Sequence, residues 1–184
     1  HIWLVMLSFT WVASAGATER YVAKTGSDAN SCAASTNIAT PKLTLLSALG
    51  CEAAGDTVWI GDGTYTDVSI GGSITSGTSS SNLTALRAIN SRQVILRPAS
   101  STSGGHAVIL SGKSYVWLSG IVIDAELVSN DALKLESSSI GVKLTDMEFK
   151  NSKHQGLLVS VTSTGGSLTG SRSHHNGDHT VDAH

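Results

Sequence analysis

The chain has 184 residues, a formal net charge of −2, 14% charged residues and 40% hydrophobic residues. This length favours a single domain with a real core, and the near-neutral charge argues against nucleic acid as a partner. Because Ser, Thr, Asn and Gly take the place of charged residues, the composition is typical of a turn-rich all-β surface.

An apolar run from Ile2 to Val12 opens the chain, and small residues at alternate positions around Ala15 and Ala17 follow it. The run is too short to span a bilayer, and this order of segments is typical of a secretory signal peptide. We therefore expect residues 1–17 to be a signal peptide that lacks its n-region. The mature protein would be extracellular, periplasmic or at the cell surface, without stable membrane insertion. A buried first strand is the alternative.

The two cysteines, Cys32 and Cys51, lie 19 residues apart, and no CxxC or His-spaced pattern indicates a metal site instead. Secreted proteins mature in a compartment that favours disulfides. The sequence therefore predicts a Cys32–Cys51 disulfide, with two separate buried thiols as the alternative.

A short amphipathic helix is predicted between Pro41 and Gly55. Leu43, Leu46 and Leu49 recur there at helical spacing. No segment after residue 55 predicts a helix. Short apolar alternations of the kind found in strands follow instead: Thr57–Ile60, Val94–Leu96, Val108–Leu110, Val116–Ile123, Leu133–Leu135, Val142–Phe149 and Leu157–Val161.

These alternations recur with a period in the twenties. Leu118, Leu144 and Leu168 take equivalent places in three successive segments. Asn151 and Asn176 close two successive segments, which predicts stacked asparagines at a corner. A parallel β-helix requires such a period, because each coil must return to stack about 4.8 Å above the one before it.

The period therefore predicts β-helix coils over residues 57–184. A solenoid exposes a strand edge and an apolar end at its first coil, and both need cover. We expect residues 18–56, with the helix and the disulfide, to form an N-terminal cap that provides it.

The opening of the chain also carries a resemblance. It lies in Tyr21–Asp28 (YVAKTGSD), Pro41–Thr44 (PKLT), Gly55–Ile60 (GDTVWI) and Gly63–Thr66 (GTYT). These segments resemble the opening of secreted β-helix proteins of the pectate-lyase-like superfamily, nearest to polysaccharide lyase family 9 and its uncharacterised relatives. The resemblance implies an all-β, right-handed single-stranded parallel β-helix with a short N-terminal capping α-helix. We expect the sequence to be the N-terminal part of a longer protein, cut off where a further strand begins before His184.

Lyases of that family cleave uronic-acid polymers by β-elimination, with a basic residue, and with calcium held by Asp side chains. The resemblance thus implies a secreted protein that acts on acidic polysaccharide in a lyase-like way. We expect the protein to be a monomer. The matching segments contain none of the family's catalytic residues, and the same opening precedes proteins with other functions. A non-catalytic protein that binds glycans or acts as an adhesive surface rod is the alternative.

Candidate site residues follow from the period. If Val116 and Leu118 point inward, Trp117 and Asp124 point outward, and the offset from Leu118 to Leu144 places them beside Lys143 and Lys150. One further coil would place His175 above Lys150.

In this column Lys150, Lys143 and His175 are the catalytic candidates. Trp117 and Asp124 are the candidates for binding substrate, because Trp offers a flat apolar face to a sugar ring and Lys can pair with a uronate. An ordinary solvated face, with neighbouring charges satisfying one another, is the alternative.

A dense polar cluster runs from His174 to His179. Asp178 and Asp182 could supply oxygen ligands to calcium. Zinc or copper on the histidines is a further alternative, although strand alternation would send neighbouring residues to opposite faces. A simple polar corner is the remaining interpretation.

Overall fold

In the computed structural model, which describes residues 16–100 and 103–177, short strands alternate with tight corners and stack coil upon coil. Inward apolar and outward polar residues alternate along most of these strands, which is why the segments take extended backbone. The described strands are β1 Glu19–Val22, β2 Thr57–Ile60, β3 Gly63–Tyr65, β4 Thr84–Ala88, β5 Val94–Leu96, β6 Val108–Ser111, β7 Val116–Ser119, β8 Ile121–Asp124, β9 Leu133–Glu136, β10 Lys143–Thr145, β11 Glu148–Lys150, β12 Leu157–Val159, β13 Ser167–Thr169 and β14 Arg172–His174.

The strands form three sheets, and every pairing between strands is parallel. The first sheet has the order β1-β2-β4-β7-β10-β13, the second β3-β5-β8-β11-β14 and the third β6-β9-β12. Each of the coils that begin with β4, β7 and β10 contributes one strand to each sheet. The chain is therefore a parallel β-solenoid of about 4 turns, which confirms the predicted all-β parallel β-helix.

One apolar column runs through the core from coil to coil. Val58, Leu86, Leu118, Leu144 and Leu168 are in register on the first sheet. The first four are buried. The three leucines that the sequence analysis placed at equivalent positions are therefore direct partners in the observed register.

In three successive coils, the corner between the first and second sheets contains a residue with left-handed backbone conformation at the equivalent position. Gly120, Asp146 and Gly170 have φ values of 71°, 54° and 63°. The Gly120 N–H donates to the carbonyl of Thr145, and the Asp146 N–H donates to the carbonyl of Thr169. Each corner is thus held by the next coil, and this keeps the coils in register.

The capping helix, α1 Leu45–Leu49, is shorter than predicted. It begins after Thr44, whose hydroxyl accepts from the Ser47 N–H, because Asp28 binds the N–H groups of Leu43 and Thr44 and holds them outside the helix. The buried face also differs from the prediction, since Leu45 and Leu49 are buried while Leu46 is exposed.

The predicted disulfide is confirmed. Cys32 and Cys51 are bonded, with their Cα atoms 5.3 Å apart. Cys51 lies just beyond α1, and Cys32 lies in the loop before it. The bond therefore ties the helix to the loop at the N-terminal end of the solenoid.

A second helix, α2 Ile70–Ser73, lies where no helix was predicted. It takes the third side of the coil that contains β2 and β3, and it packs against β6. A Cβ on Gly71 would clash with the carbonyl oxygen of Ile109, so this close packing needs glycine. Helical periodicity in so short and glycine-rich a segment gives no signal.

The expected signal peptide lies outside the described residues except for Gly16 and Ala17. Among the helices that the structure describes, none has the length and apolar character needed to cross a bilayer.

Loss of the disulfide should destabilise the cap. We expect Cys51→Ser to lower the free energy of unfolding by about 3 kcal/mol, because the loop before α1 gains freedom in the unfolded chain. Urea unfolding under oxidising conditions measures the change. The double variant Cys32→Ser/Cys51→Ser controls for intermolecular disulfides, and an unchanged free energy in both variants would contradict the prediction.

The register predicts that whole coils can be removed but half coils cannot. Ser119 pairs with Thr145, so deletion of residues 120–145 joins Ser119 to Asp146 at an equivalent corner. Deletion of residues 120–132 leaves the remaining strands out of register. We expect circular dichroism and a cooperative thermal transition to report a folded protein only for the first deletion; equal loss of structure in both would count against the solenoid.

Candidate functional site

A buried carboxylate, Asp124, lies at the end of β8 on the outer side of the second sheet. Its partner in register is Lys150, the last residue of β11, as the spacing of Leu118 and Leu144 predicted. The Asp124 side chain is 0% exposed. Although it points away from the core, it is covered by the side chains around it.

The Asp124 carboxylate receives bonds from several directions. Arg97 Nη2 lies 2.6 Å from Oδ2, Asn151 Nδ2 lies 2.9 Å from Oδ1, and Lys150 Nζ lies 3.7 Å from Oδ2. Burial alone would raise the pKa of Asp124, but the bonds from Arg97 and Asn151 outweigh burial and lower it. The group is therefore a stable anion held between cations. We call Asp124, Arg97, Lys150 and Asn151 the Asp124 cluster.

A second carboxylate, Glu148, lies beside this cluster on β11. Arg172 Nε donates to Glu148 Oε2 at 2.8 Å, and His174 Nε2 lies 2.9 Å from Oε1. Burial opposes ionisation of Glu148, but the bonds from His174 and Arg172 lower its pKa. The outer side of the second sheet thus pairs its charges across neighbouring strands.

The predicted position of His175 is wrong. His174, not His175, is in register with Lys150. His175 follows β14 with a left-handed φ of 53°, and its Nδ1 lies 2.6 Å from that of His174. The coil from β11 to β14 is shorter than the coil from β8 to β11, so the position equivalent to Lys150 falls on His174.

The predicted stack of Asn151 on Asn176 is also absent. Asn151 binds Asp124, whereas Asn176 accepts from the Ser152 N–H and donates to the Phe149 carbonyl. Each amide therefore binds residues of the coil before its own, and the two bind different coils.

A solvent molecule or ligand reaches only part of this surface. The oxygens of Asp124 already have partners, so a ligand must displace Arg97 or Asn151 to contact them. Lys150 keeps 24% of its side chain exposed. Of Asp124 and Lys150, Lys150 is therefore the residue that can contact a ligand directly.

An aromatic and cationic surface covers the outer side of the first sheet. Successive strands β2, β4, β7 and β10 contribute Trp59, Arg87, Trp117 and Lys143. The Arg87 guanidinium lies 4.5 Å from the centre of one Trp59 ring and 4.2 Å from that of Trp117, and Lys143 Nζ lies 4.3 Å from the Trp117 ring. We call these four residues the tryptophan–cation ladder.

The ladder brings together two of the predicted residues. Trp117 and Lys143 are in register, as expected, and Trp117 Nε1 donates to Thr145 Oγ1 at 2.8 Å. Cations lie over Trp117 from the strands on both sides, so a sugar ring that stacks on Trp117 would have to share it with Arg87 or Lys143. Such contacts contribute about 0.5–1 kcal/mol each at exposed sites.

The cations of the ladder differ from those of the second sheet. Within residues 16–100 and 103–177, neither Arg87 nor Lys143 forms an ion pair with a carboxylate. The Arg87 Nε is buried without a hydrogen-bond partner there. The ladder therefore presents positive charge that the described residues do not neutralise.

Trp59 and Arg87 were missed in the sequence. Their outward positions follow from the alternation in β2 and β4, but their offset to the next coils does not. The corner after β4 spans positions 89–93, where the corner after β7 takes only Gly120. The coil from Ala85 to its partner Trp117 is therefore longer than the coil from Trp117 to Lys143. A search at one fixed period aligns Trp117 with Lys143 but cannot align the residues of β4 with those of β7.

The calcium prediction falls outside the structure. Asp178 and Asp182 both lie beyond residue 177, where the description ends. Among the described residues, no group of three or more His, Cys, Asp or Glu side chains is placed to hold a metal ion.

Comparisons of the chain with protein-family models, with curated proteins and with solved structures find no match. The class of protein is therefore defined by the fold, as a parallel β-helix protein with one disulfide.

The Asp124 cluster makes a testable contribution to stability. We expect Asp124→Asn to lower the free energy of unfolding at pH 7 by about 3 kcal/mol, because Arg97 and Lys150 lose a buried anionic partner. The pKa of Asp124 is lower in the folded protein, so its stabilisation is present above the unfolded value near pH 4 and is lost as the pH falls through the folded value.

Urea unfolding between pH 7 and pH 2.5 measures this dependence, and the difference between the wild type and Asp124→Asn should shrink as the pH falls. Glu126→Gln is the matched control: Glu126 pairs with the same Arg97 but is 56% exposed, so its loss should cost less than about 1 kcal/mol. Equal effects of the two variants at pH 7 would contradict the role of the buried group.

Proposed function

We propose that this protein is an extracellular β-helix protein of the pectate-lyase-like type that binds acidic polysaccharide on the outer side of its first sheet. The observation that carries the proposal is the tryptophan–cation ladder, with its two cations free of carboxylate partners in the described residues. Acidic polysaccharide is proposed as the ligand because cations bind carboxylates and indole rings contact sugar rings.

Each part of the ladder suits a different part of a uronic-acid polymer. Arg87 offers a planar fork that can bind a carboxylate with two hydrogen bonds, and Lys143 offers a mobile point charge. The edges and faces of Trp59 and Trp117 offer apolar surface to sugar rings. Because the four residues come from successive strands, a linear chain lying along the solenoid axis would meet them one after another.

An extracellular location is supported by three observations. The disulfide suits an oxidising compartment, the first residues resemble a signal peptide, and residues 21–66 resemble the opening of secreted β-helix proteins. Location outside the cell would also place the protein where acidic polysaccharides occur.

Lyase activity is the second candidate, and the resemblance of residues 21–66 to polysaccharide lyases favours it. β-Elimination needs a positive group to neutralise the uronate carboxylate and a base to remove the neighbouring proton. Lys150 and Lys143 are the candidates for these roles, and calcium at Asp178 and Asp182 stays a prediction.

Binding to polygalacturonate and alginate tests the first proposal, with dextran as the neutral polymer. We expect Arg87→Gln and Lys143→Gln each to weaken binding by about tenfold, the loss of one charged hydrogen bond. Lys153→Gln is the matched control, because Lys153 is an exposed lysine between β11 and β12, and it should change affinity less than twofold. Isothermal titration calorimetry at two salt concentrations measures the affinities, which should fall as salt rises.

The same mixtures separate binding from cleavage. A rise in ultraviolet absorbance from unsaturated chain ends, lost in Lys150→Ala, would support the lyase. Binding without such a rise would support a glycan-binding protein. Failure to bind either acidic polymer, or equal weakening by Lys153→Gln and Lys143→Gln, would overturn the proposal that the ladder binds acidic polysaccharide.

A further inference from the structure

A cleft of about 490 Å³ opens on the outer side of the third sheet, away from the tryptophan–cation ladder. The strands β6 and β9 form its wall, and α2 with Gly72 forms its lower side. Its size lies within the range of pockets that bind small molecules in proteins. The proposed function uses none of the residues in this cleft.

An ion pair lies on the wall of the cleft. Lys134 and Glu136 are both outward residues of β9, and Lys134 Nζ lies 2.8 Å from Glu136 Oε2. The hydrogen bond from Lys134 lowers the pKa of Glu136, so the carboxylate is ionised. About a quarter to a third of each side chain is exposed, so both reach the cleft.

A histidine that lines the cleft lies beside a buried aspartate. His106 Nδ1 lies 2.9 Å from Asp131 Oδ2, and the other oxygen of Asp131 accepts from the Gln155 N–H at 2.9 Å. Both side chains are buried. The Asp131 backbone N–H donates to His106 Nδ1 at 3.4 Å, so Asp131 contacts this edge of the imidazole through both its backbone and its carboxylate. The other edge of the ring faces Gly104, where a Cβ would lie 3.1 Å from His106 Nε2.

The charges around the cleft balance. Lys134 and Glu136 cancel each other, and Lys113, whose Nζ donates to the carbonyls of Gly72 and Ile74, offsets Asp131, which is buried beside His106. Burial lowers the pKa of His106, although Asp131 opposes this, so the imidazole is neutral at neutral pH. A charged ligand would meet one favourable and one unfavourable charge side by side.

We propose that this cleft binds a neutral saccharide unit. Adjacent hydroxyl groups of a sugar match the ion pair, because one hydroxyl can accept from Lys134 Nζ while its neighbour donates to the Glu136 carboxylate. Ser111 adds a further hydroxyl, and Ile109 adds a small apolar surface at the same wall. The site is independent of the acidic polysaccharide, since it lies on a different sheet and has no net charge.

Gly72 allows a blocking variant with little effect on the fold. A Cβ at this position would meet no atom within 4 Å, and the residue lies in a helix, where leucine is favoured over glycine. Gly72→Leu should therefore fill the cleft. Gly50→Leu is the matched control, because Gly50 is an exposed residue at the end of α1 where a Cβ makes only ordinary contacts.

Saturation-transfer NMR on the whole protein, with titration of amide chemical shifts, tests the site. The probes are methyl β-D-glucopyranoside, methyl α-D-mannopyranoside and cellobiose, with methyl β-D-glucuronide as the charged comparison. We expect at least one neutral probe to bind. Gly72→Leu and Glu136→Gln should each weaken that binding at least about tenfold, and Gly50→Leu and Lys143→Gln should change it less than twofold.

Three results would overturn the proposal: no transfer to any neutral probe, binding that persists in Gly72→Leu, or tighter binding of the glucuronide than of the neutral glycosides. If Gly72→Leu fails to fold by circular dichroism, Glu136→Gln carries the same test, because it changes one partly exposed side chain. Loss of acidic-polymer binding in Lys143→Gln alone would concern the ladder and leave this site intact.

Discussion

The fold depends on strands that stack directly on the equivalent strands of the neighbouring coil. This stacking supplies the hydrogen bonds between coils and, at the same time, the column that contains Leu118 and Leu144. Side chains alternate along a strand, so a slip of one residue would turn that column to the solvent. The register of the strands is therefore fixed by the core, and the corners must absorb any difference in coil length.

The same register organises the outside of the molecule. Once Leu118 lies beside Leu144, Trp117 must lie beside Lys143, and the register of the second sheet places Asp124 beside Lys150. Rows of outward side chains are thus a consequence of core packing. What differs between sheets is the choice of residues: the second sheet pairs opposite charges, whereas the ladder on the first alternates rings with cations.

Sequence reasoning succeeded where coils have equal corners and failed where they differ. The pairing of Asp124 with Lys150 followed from the spacing of two core leucines. The step from Lys150 to His174 was missed, because the coil after β11 is shorter, and His175 was chosen instead. Arg87 was missed for the opposite reason, since a long corner follows β4. Periodicity predicts the strands and their faces, but the length of each corner depends on turn geometry that alternation does not encode.

The N-terminal cap is the part of the solenoid that carries a covalent crosslink. The disulfide between Cys32 and Cys51 fastens the side where β1 begins the first sheet. Each strand pairs with the equivalent strands of neighbouring coils, and Arg92 reaches further, to Asp146 and to the Gly170 carbonyl in later coils. A pulling force on the described coils would therefore meet two different kinds of resistance. The strands beyond Cys51 are held by hydrogen bonds and packing and can be extended, whereas the segment from Cys32 to Cys51 would stay closed by a covalent bond.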